Sequence, residues 1–273
     1  MPSRQRDGSS PSLLRRLWGT LTSVLVGLVS GVGVYLGVCG LALVVYSAAF
    51  PPITAVQLQR HVEGLWTDQP TPRRYAPVPL EKVSPSLPRA VIAAEDSRFF
   101  EHHGIDWSMV GEAIEEYQRG EDLRGASTLT QQLVKNLFLT THSTVVRKAL
   151  EVPLAYLAEL LLSKRRILEL YVNVVEWGPG VYGVEEAAAY HYTQSAATLT
   201  LAQSAGLAAC LPNPRHRRPQ NMGWYQRIIL QRMKNLGPLP LATGQKRAAP
   251  VGLASGRTRP PALILTPFRP YDD

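Results

Sequence analysis

Disulfides are the first thing this sequence lacks. Its 273 residues include only two cysteines, Cys39 in a long apolar run and Cys210 in a segment with the spacing of a core helix. A pair so placed supplies neither a disulfide framework nor the clustered thiolates of a metal site. The six histidines are scattered, and the adjacent His102 and His103 lack the i, i+4 spacing or CxxC company that zinc sites usually show. No internal repeat is visible. Strand signals are nearly absent beyond residue 88, which points to an all-α or mostly α domain. Acidic residues are outnumbered, and the net charge of +8 asks for a polyanionic or membrane-surface partner without naming it. A chain of this length holds one well-packed domain of about 200 residues plus an appendage, but not two large domains.

Charge is missing altogether from Trp18 to Phe50, a run longer than the about 20 residues that cross a bilayer as a helix. The preceding tail, residues 1–17, carries Arg4, Arg6, Arg15 and Arg16 against Asp7. Positive charge in a short flank favours the cytoplasmic side, so the bulk of the chain is expected on the other side. A cleaved signal peptide has an apolar region of about 7–15 residues ending at small residues. Here the run is longer and Pro51-Pro52 follow Ala48-Ala49 directly, so residues 18–50 read as an uncleaved membrane helix.

Residues 51–87 are rich in proline and polar groups and read as an extended linker or rim. The folded domain is expected over 88–237. Asp106 caps a predicted helix with an apolar stripe of Trp107, Val110, Ile114 and Tyr117, a face expected to pack inward. Ser127 is the expected cap of a helix carrying Leu129, Leu133 and Leu137, and Ser143 or Thr144 opens a longer one to about Leu162, bent at Pro153. Helical spacing continues through Ser163–Asn173. Thr200 with Gln203 forms a capping box, and Asn221 and Gly237 frame a last helix. From 238 to 273 recurrent proline and few large apolar groups suggest disorder.

Three segments hold more polar chemistry than a bland core needs. An apolar helical run leads into Glu95 and Asp96, and a carboxylate set against such a run is liable to a raised pKa, which suits acid or base work. A solvated turn pairing with Arg98 is the competing reading. In the second segment Ser127, Thr128, Thr130, Gln131, Gln132, Lys135 and Asn136 crowd one helix, a donor-rich surface suited to sugar and phosphate, or else an exposed polar face. In the third, Arg147, Lys148 and Glu151 lie within a helical turn, followed by Lys164, Arg165 and Arg166. An Arg147–Glu151 pair stabilises a surface helix by only about 0.2–0.5 kcal/mol, whereas clustered cations suit a pyrophosphate leaving group.

Read in order, the motifs Glu95-Asp96-x-x-Phe99-x-x-His102-x-Gly104, Gly125-x-Ser127-Thr128-x-Thr130-Gln131-Gln132-Leu133-x-Lys135-Asn136, Arg147-Lys148-x-x-Glu151, Ser163-Lys164-x-x-Ile167-Leu168-Glu169-x-Tyr171-x-Asn173 and Gly183-Val184-x-x-Ala187-Ala188 resemble the peptidoglycan glycosyltransferase family. This is the transglycosylase module also found in bifunctional penicillin-binding proteins. The stretch VVEWGPGVYGVEEAAAYHY with LAACLPNP looks most like its monofunctional branch, and no serine-x-x-lysine set for a transpeptidase follows.

The resemblance implies a lysozyme-like helical fold with a cleft between a larger lobe and a smaller, membrane-touching one, held at the bacterial inner membrane. It implies a donor glycan on polyprenyl pyrophosphate and, as acceptor, lipid-linked disaccharide-pentapeptide. Glu95 would be the base for the acceptor 4-hydroxyl, with inversion at the donor carbon. Glu151 would assist on the pyrophosphate side, with a divalent metal such as Mg or Mn as an expected helper and no organic cofactor. Lys135, Arg147, Lys148 and Lys164 would hold the pyrophosphate. Asp96, Phe99, His102, Ser127, Thr128, Gln131, Gln132, Asn136 and Asn173 match cleft positions for substrate contact. Partners would be the nascent glycan, the membrane and cell-wall synthesis or division proteins, with no nucleic acid.

One departure stands out. Many family members carry an arginine that would fall near Ser143, whereas TTHSTVV offers only His142, leaving His142, Arg124 or a more distant arginine to substitute. The competing readings are a glycan-cleaving enzyme on a related lysozyme-like fold, which would need no pyrophosphate clamp, and an inactive envelope scaffold.

Overall fold

The computed structural model describes residues 13–66, 72–120 and 125–240. The basic tail before Leu13, Arg124 and most of the proline-rich 238–273 segment lie outside the described residues. The architecture is mostly α, as the sequence predicts, with ten helices among the described residues.

The first helix, α1 (Leu13–Tyr46), begins before Trp18 and ends four residues short of Phe50. Its apolar window Leu17–Tyr46 is long enough to cross a membrane, at about 1.5 Å per residue, and it anchors the chain. The first half presents Trp18, Leu21, Leu25 and Leu28 to the surroundings. The last turns instead dock on the protein. Cys39 and Leu43 are buried, the Tyr35 hydroxyl donates to the Phe138 carbonyl at 2.9 Å, and Arg166 Nε donates to the Tyr46 carbonyl at 2.8 Å.

The expected linker over 51–87 is not one. Thr54 and Gln57 form a capping box that starts α2 (Ala55–Gly64), and Leu80 and Val83 enter the core. Its described residues are tied down at several points. Gln59 exchanges hydrogen bonds of 2.8 Å with Thr141, the Leu80 amide donates to Glu169 at 2.7 Å, and Val78 exchanges two bonds with Asn173. Proline there ends elements without preventing burial, because the backbone groups around it find partners on other helices.

Downstream run α3 (Ser86–Glu95), α4 (Trp107–Gln118), α5 (Leu129–Phe138), α6 (Val145–Leu161), α7 (Lys164–Val174), α8 (Val184–Tyr192), α9 (Leu201–Cys210) and α10 (Gly223–Asn235). Packing falls into two groups: α3, α9 and α10 pack on one another, while α5 packs on α6, α7 and α2, with α1 against α6. One continuous apolar core joins them, with Phe99, Leu133, Leu154, Tyr171 and Trp177 fully buried. Both cysteines are free and buried.

Three details depart from the sequence reading. The α4 stripe faces outward: Trp107, Ile114 and Tyr117 are 61%, 49% and 64% exposed, and Ala113 is the residue buried beneath them. Periodicity reports that a helix is two-faced, not which medium the apolar face meets. The cap of α5 is Thr128 rather than Ser127, because Gln131 at the third helical position completes a capping box with it. A small sheet also forms, in the order β1 (Arg74–Tyr75), β3 (Val181–Tyr182), β2 (Glu176–Gly178), with β1 parallel and β2 antiparallel to β3.

Gly183 links β3 to α8 at φ +84°, where an added Cβ would lie 2.8 Å from the Asn173 carbonyl oxygen. Gly183→Ala therefore meets both a left-handed backbone and a clash. Denaturant unfolding should show a loss of at least about 1–3 kcal/mol.

Candidate active site

Glu95 is the last residue of α3 and Asp96 its C-cap. Asp96 is buried and spends its carboxylate internally. It accepts from the Leu129 amide at the start of α5 at 2.9 Å and meets His102 Nε2 at 3.0 Å. The positive end of α5 thus holds the turn after α3 in place. Glu95 is left pointing along α5, only partly accessible, with the Gln132 side-chain amide donating to its Oε2 at 2.8 Å.

Burial lifts the Glu95 carboxyl above the ordinary glutamate value, against the pull of the Gln132 hydrogen bond and of Lys135; nearby Asp96 adds to the rise and Arg217 opposes it. The folded state therefore holds a proton over a pH window in which the unfolded chain has released it. Stability falls as pH rises through that window and stays lowered above it. Glu95→Gln removes this cost, so its thermal midpoint should exceed that of the wild type at neutral pH. The gap should close as pH drops below the ordinary glutamate range.

Lys135 lies one helical turn beyond Gln132 on α5. Its ammonium has no hydrogen bond or ion pair among the described residues, and burial depresses its pKa, partly offset by Glu151 and Glu95. Across from it, α6 starts at its Thr144 cap and carries Arg147, Lys148 and Glu151. Glu151 is 2% exposed. Arg147 Nη1 pairs with its Oε1 and Lys148 Nζ with its Oε2 at 2.7 Å, while Lys148 also donates to Ser127 Oγ at 2.7 Å. A cleft opens between these helices, lined by Ser127, Gln131, Gln132, Lys135, Thr141, Arg147, Lys148 and Glu151. Three cations against Glu151 leave an excess of positive charge there, suited to a doubly charged pyrophosphate.

The cleft thus gathers seven of the sequence-predicted residues, with Glu95 one hydrogen bond beyond Gln132. The others are placed inside the fold. Phe99 is core. Thr128 caps α5 and donates to the Gly104 carbonyl at 2.5 Å. Asn136 returns its amide to the Gln132 carbonyl at 2.8 Å, and Asn173 is fully buried, bracing Val78. Asp96 and His102 brace each other. Lys164 is not brought to the other cations: its ammonium pairs with Glu159 at 2.7 Å and sits over the Phe99 ring at 4.4 Å. Most of these polar groups bond to the protein itself, whereas His102 Nδ1 is buried without a hydrogen-bond partner.

Near the position where the family arginine would fall, His142 turns its ring to Gln59 at 3.4 Å and gives its carbonyl to Arg147 Nε at 2.8 Å. The sequence reading missed three residues. Thr141 lines the cleft, Arg217 acts on the Glu95 carboxyl, and the Tyr171 hydroxyl donates to Gln132 Oε1 at 2.8 Å. Tyr171 stands in the motif that runs from Ser163 to Asn173, but its otherwise apolar helical face gave no hint of this bond. For a resident divalent metal the donor set does not fit: no cluster of three His, Cys, Asp or Glu side chains occurs among the described residues, and both Glu151 oxygens are taken by cations.

Comparison with known proteins points to one family. A family model described as Transglycosylase matches residues 63–234. A biosynthetic peptidoglycan transglycosylase of Rhodopseudomonas palustris (strain TIE-1) is 46% identical over 173 residues, covering 63% of this chain and 71% of the relative. Proteins with the same description from Brucella suis biovar 1 (41% over 206 residues; 72% and 87% covered) and Caulobacter vibrioides (42% over 206 residues; 76% and 85% covered) are similar.

Proposed function

Since this chain belongs to the transglycosylase family, whose lysozyme-like domain polymerises peptidoglycan glycan strands from a lipid-linked precursor, we propose that Glu95 is its base and that Lys135, Arg147 and Lys148 receive the pyrophosphate. The acceptor's 4-hydroxyl gives its proton to Glu95 as its oxygen forms a bond to the donor anomeric carbon. The bond from that carbon to the phosphate oxygen breaks on the opposite face, with inversion, and the electron pair leaves with the polyprenyl pyrophosphate. Glu151 acts by holding Arg147 and Lys148 in place rather than by moving a proton. No step is routed through a metal.

The observation that carries this reading is the unpaired Lys135 on the same helical face as Gln132, between a carboxyl made more basic by burial and the α6 cations. A hydrolase would have no use for those cations. The arginine-rich amino-terminal tail supports an orientation in the inner membrane with that tail cytoplasmic and the catalytic domain periplasmic. The exposed apolar stripe of α4 fits the smaller lobe's contact with lipid. Purified full-length protein given lipid-linked disaccharide-pentapeptide should build long glycan resolvable by gel. Release of soluble fragments from isolated cell wall, with the lipid substrate left untouched, would contradict the proposal.

A further inference from the structure

Gln132 is held at both ends of its amide. The Tyr171 hydroxyl meets its Oε1 at 2.8 Å and its Nε2 meets Glu95 Oε2 at 2.8 Å. Tyr171 is fully buried on α7, which packs closely against α5. Burial, then Glu95 and Asp96, push its ionisation well above the ordinary tyrosine value, so the phenol keeps its proton. An ionised carboxylate only accepts hydrogen bonds. The amide therefore satisfies both neighbours in one orientation, with oxygen toward tyrosine and nitrogen toward Glu95. Among the described residues Gln132 is the only hydrogen-bond donor to Glu95.

We infer that Tyr171 is a positioning residue for the base: through Gln132 it fixes Glu95 Oε2 and leaves Oε1 to take the acceptor's proton, an inference that rests on Glu95 being the base. A half-buried side chain on α5 and a fully buried one on α7 thus set the direction of a carboxylate on α3, at a site whose substrate they do not both touch. Gln132 faces the cleft, whereas Tyr171 lies behind it. Losing the tyrosine hydroxyl frees the amide to turn, and the ionised form of Glu95 loses its donor.

The test uses full-length enzyme and lipid-linked disaccharide-pentapeptide. Tyr171→Phe keeps the ring that fills the core. Its kcat should fall about tenfold, the order of one hydrogen bond to a charged group, with KM changed by less than about twofold. The acid limb of kcat/KM should move to higher pH. Gln132→Met should move the limb the same way, and the double variant should be no worse than Gln132→Met alone, because both act through one amide. An unmoved acid limb and wild-type kcat in Tyr171→Phe, beside an inactive Glu95→Gln, would overturn the relay and leave the base in place. A fully active Glu95→Gln would remove the base and the relay together. Activity lost only in step with a lowered melting point, with the limb in place, would also overturn the relay.

Discussion

Glu95→Gln enzyme should bind its lipid-linked substrate as the wild type does and polymerise it about 10²–10⁴-fold more slowly, the contribution expected of one well-placed general base. The substitution keeps shape and volume, and its amide oxygen still accepts from Gln132. What it removes is the ability to take a proton, so the loss belongs in kcat with KM little changed. The stability prediction runs the other way, because the carboxylate that catalysis needs is one that burial penalises. A variant that is slower and yet more heat-resistant at neutral pH is the combined signature. A merely structural role for Glu95 would lower both.

The second large effect is expected at Lys135. Lys135→Met preserves most of the apolar stem and deletes the charge, and kcat should drop about 10²–10³-fold, as when one preorganised donor to developing negative charge is removed. Arg147 and Lys148 cannot compensate, since both are engaged by Glu151, whereas Lys135 is the cation of the cleft without an ion-pair partner among the described residues. Its depressed pKa marks an ammonium whose charge costs energy in the free enzyme. The incoming pyrophosphate relieves that cost, so Lys135 should become more basic in the complex. Steady-state rates for Lys135→Met and Lys135→Arg separate charge from shape: arginine should restore part of the rate, methionine none.

The anchor was legible in the sequence because thirty or so residues without charge leave few alternatives. The helices from Thr144, Ser163 and Thr200 onward were also legible, since each opens on a side chain that caps it in the structure. Helix α2 was hidden by the prolines around it, although Thr54 and Gln57 had the right spacing for a capping box. The outward stripe of α4 and the hairpin at Glu176–Tyr182 depend on what surrounds them, which periodicity does not carry. At the site, the structure brings some of the motif residues to one cleft and places others inside the fold. Glu95, Gln132, Lys135, Arg147, Lys148 and Glu151 line or adjoin the cleft, while Thr128, Asn136 and Asn173 share the same motifs and serve as braces. A motif records that a residue type is needed at a place, and a buried bracing amide satisfies that as well as a contact to sugar does. Tyr171, a motif position given no role in the sequence, is core, and its hydroxyl bonds to Gln132.

The most direct test is the acid side of the kcat/KM profile for polymerisation by the full-length enzyme, measured beside the residual activity of Glu95→Gln. The rate should fall with a single ionisation above the ordinary glutamate value, and that limb should vanish in the variant. A limb that persists unchanged in Glu95→Gln, or a wild-type rate that stays flat down through the glutamate range, would contradict Glu95 as the base.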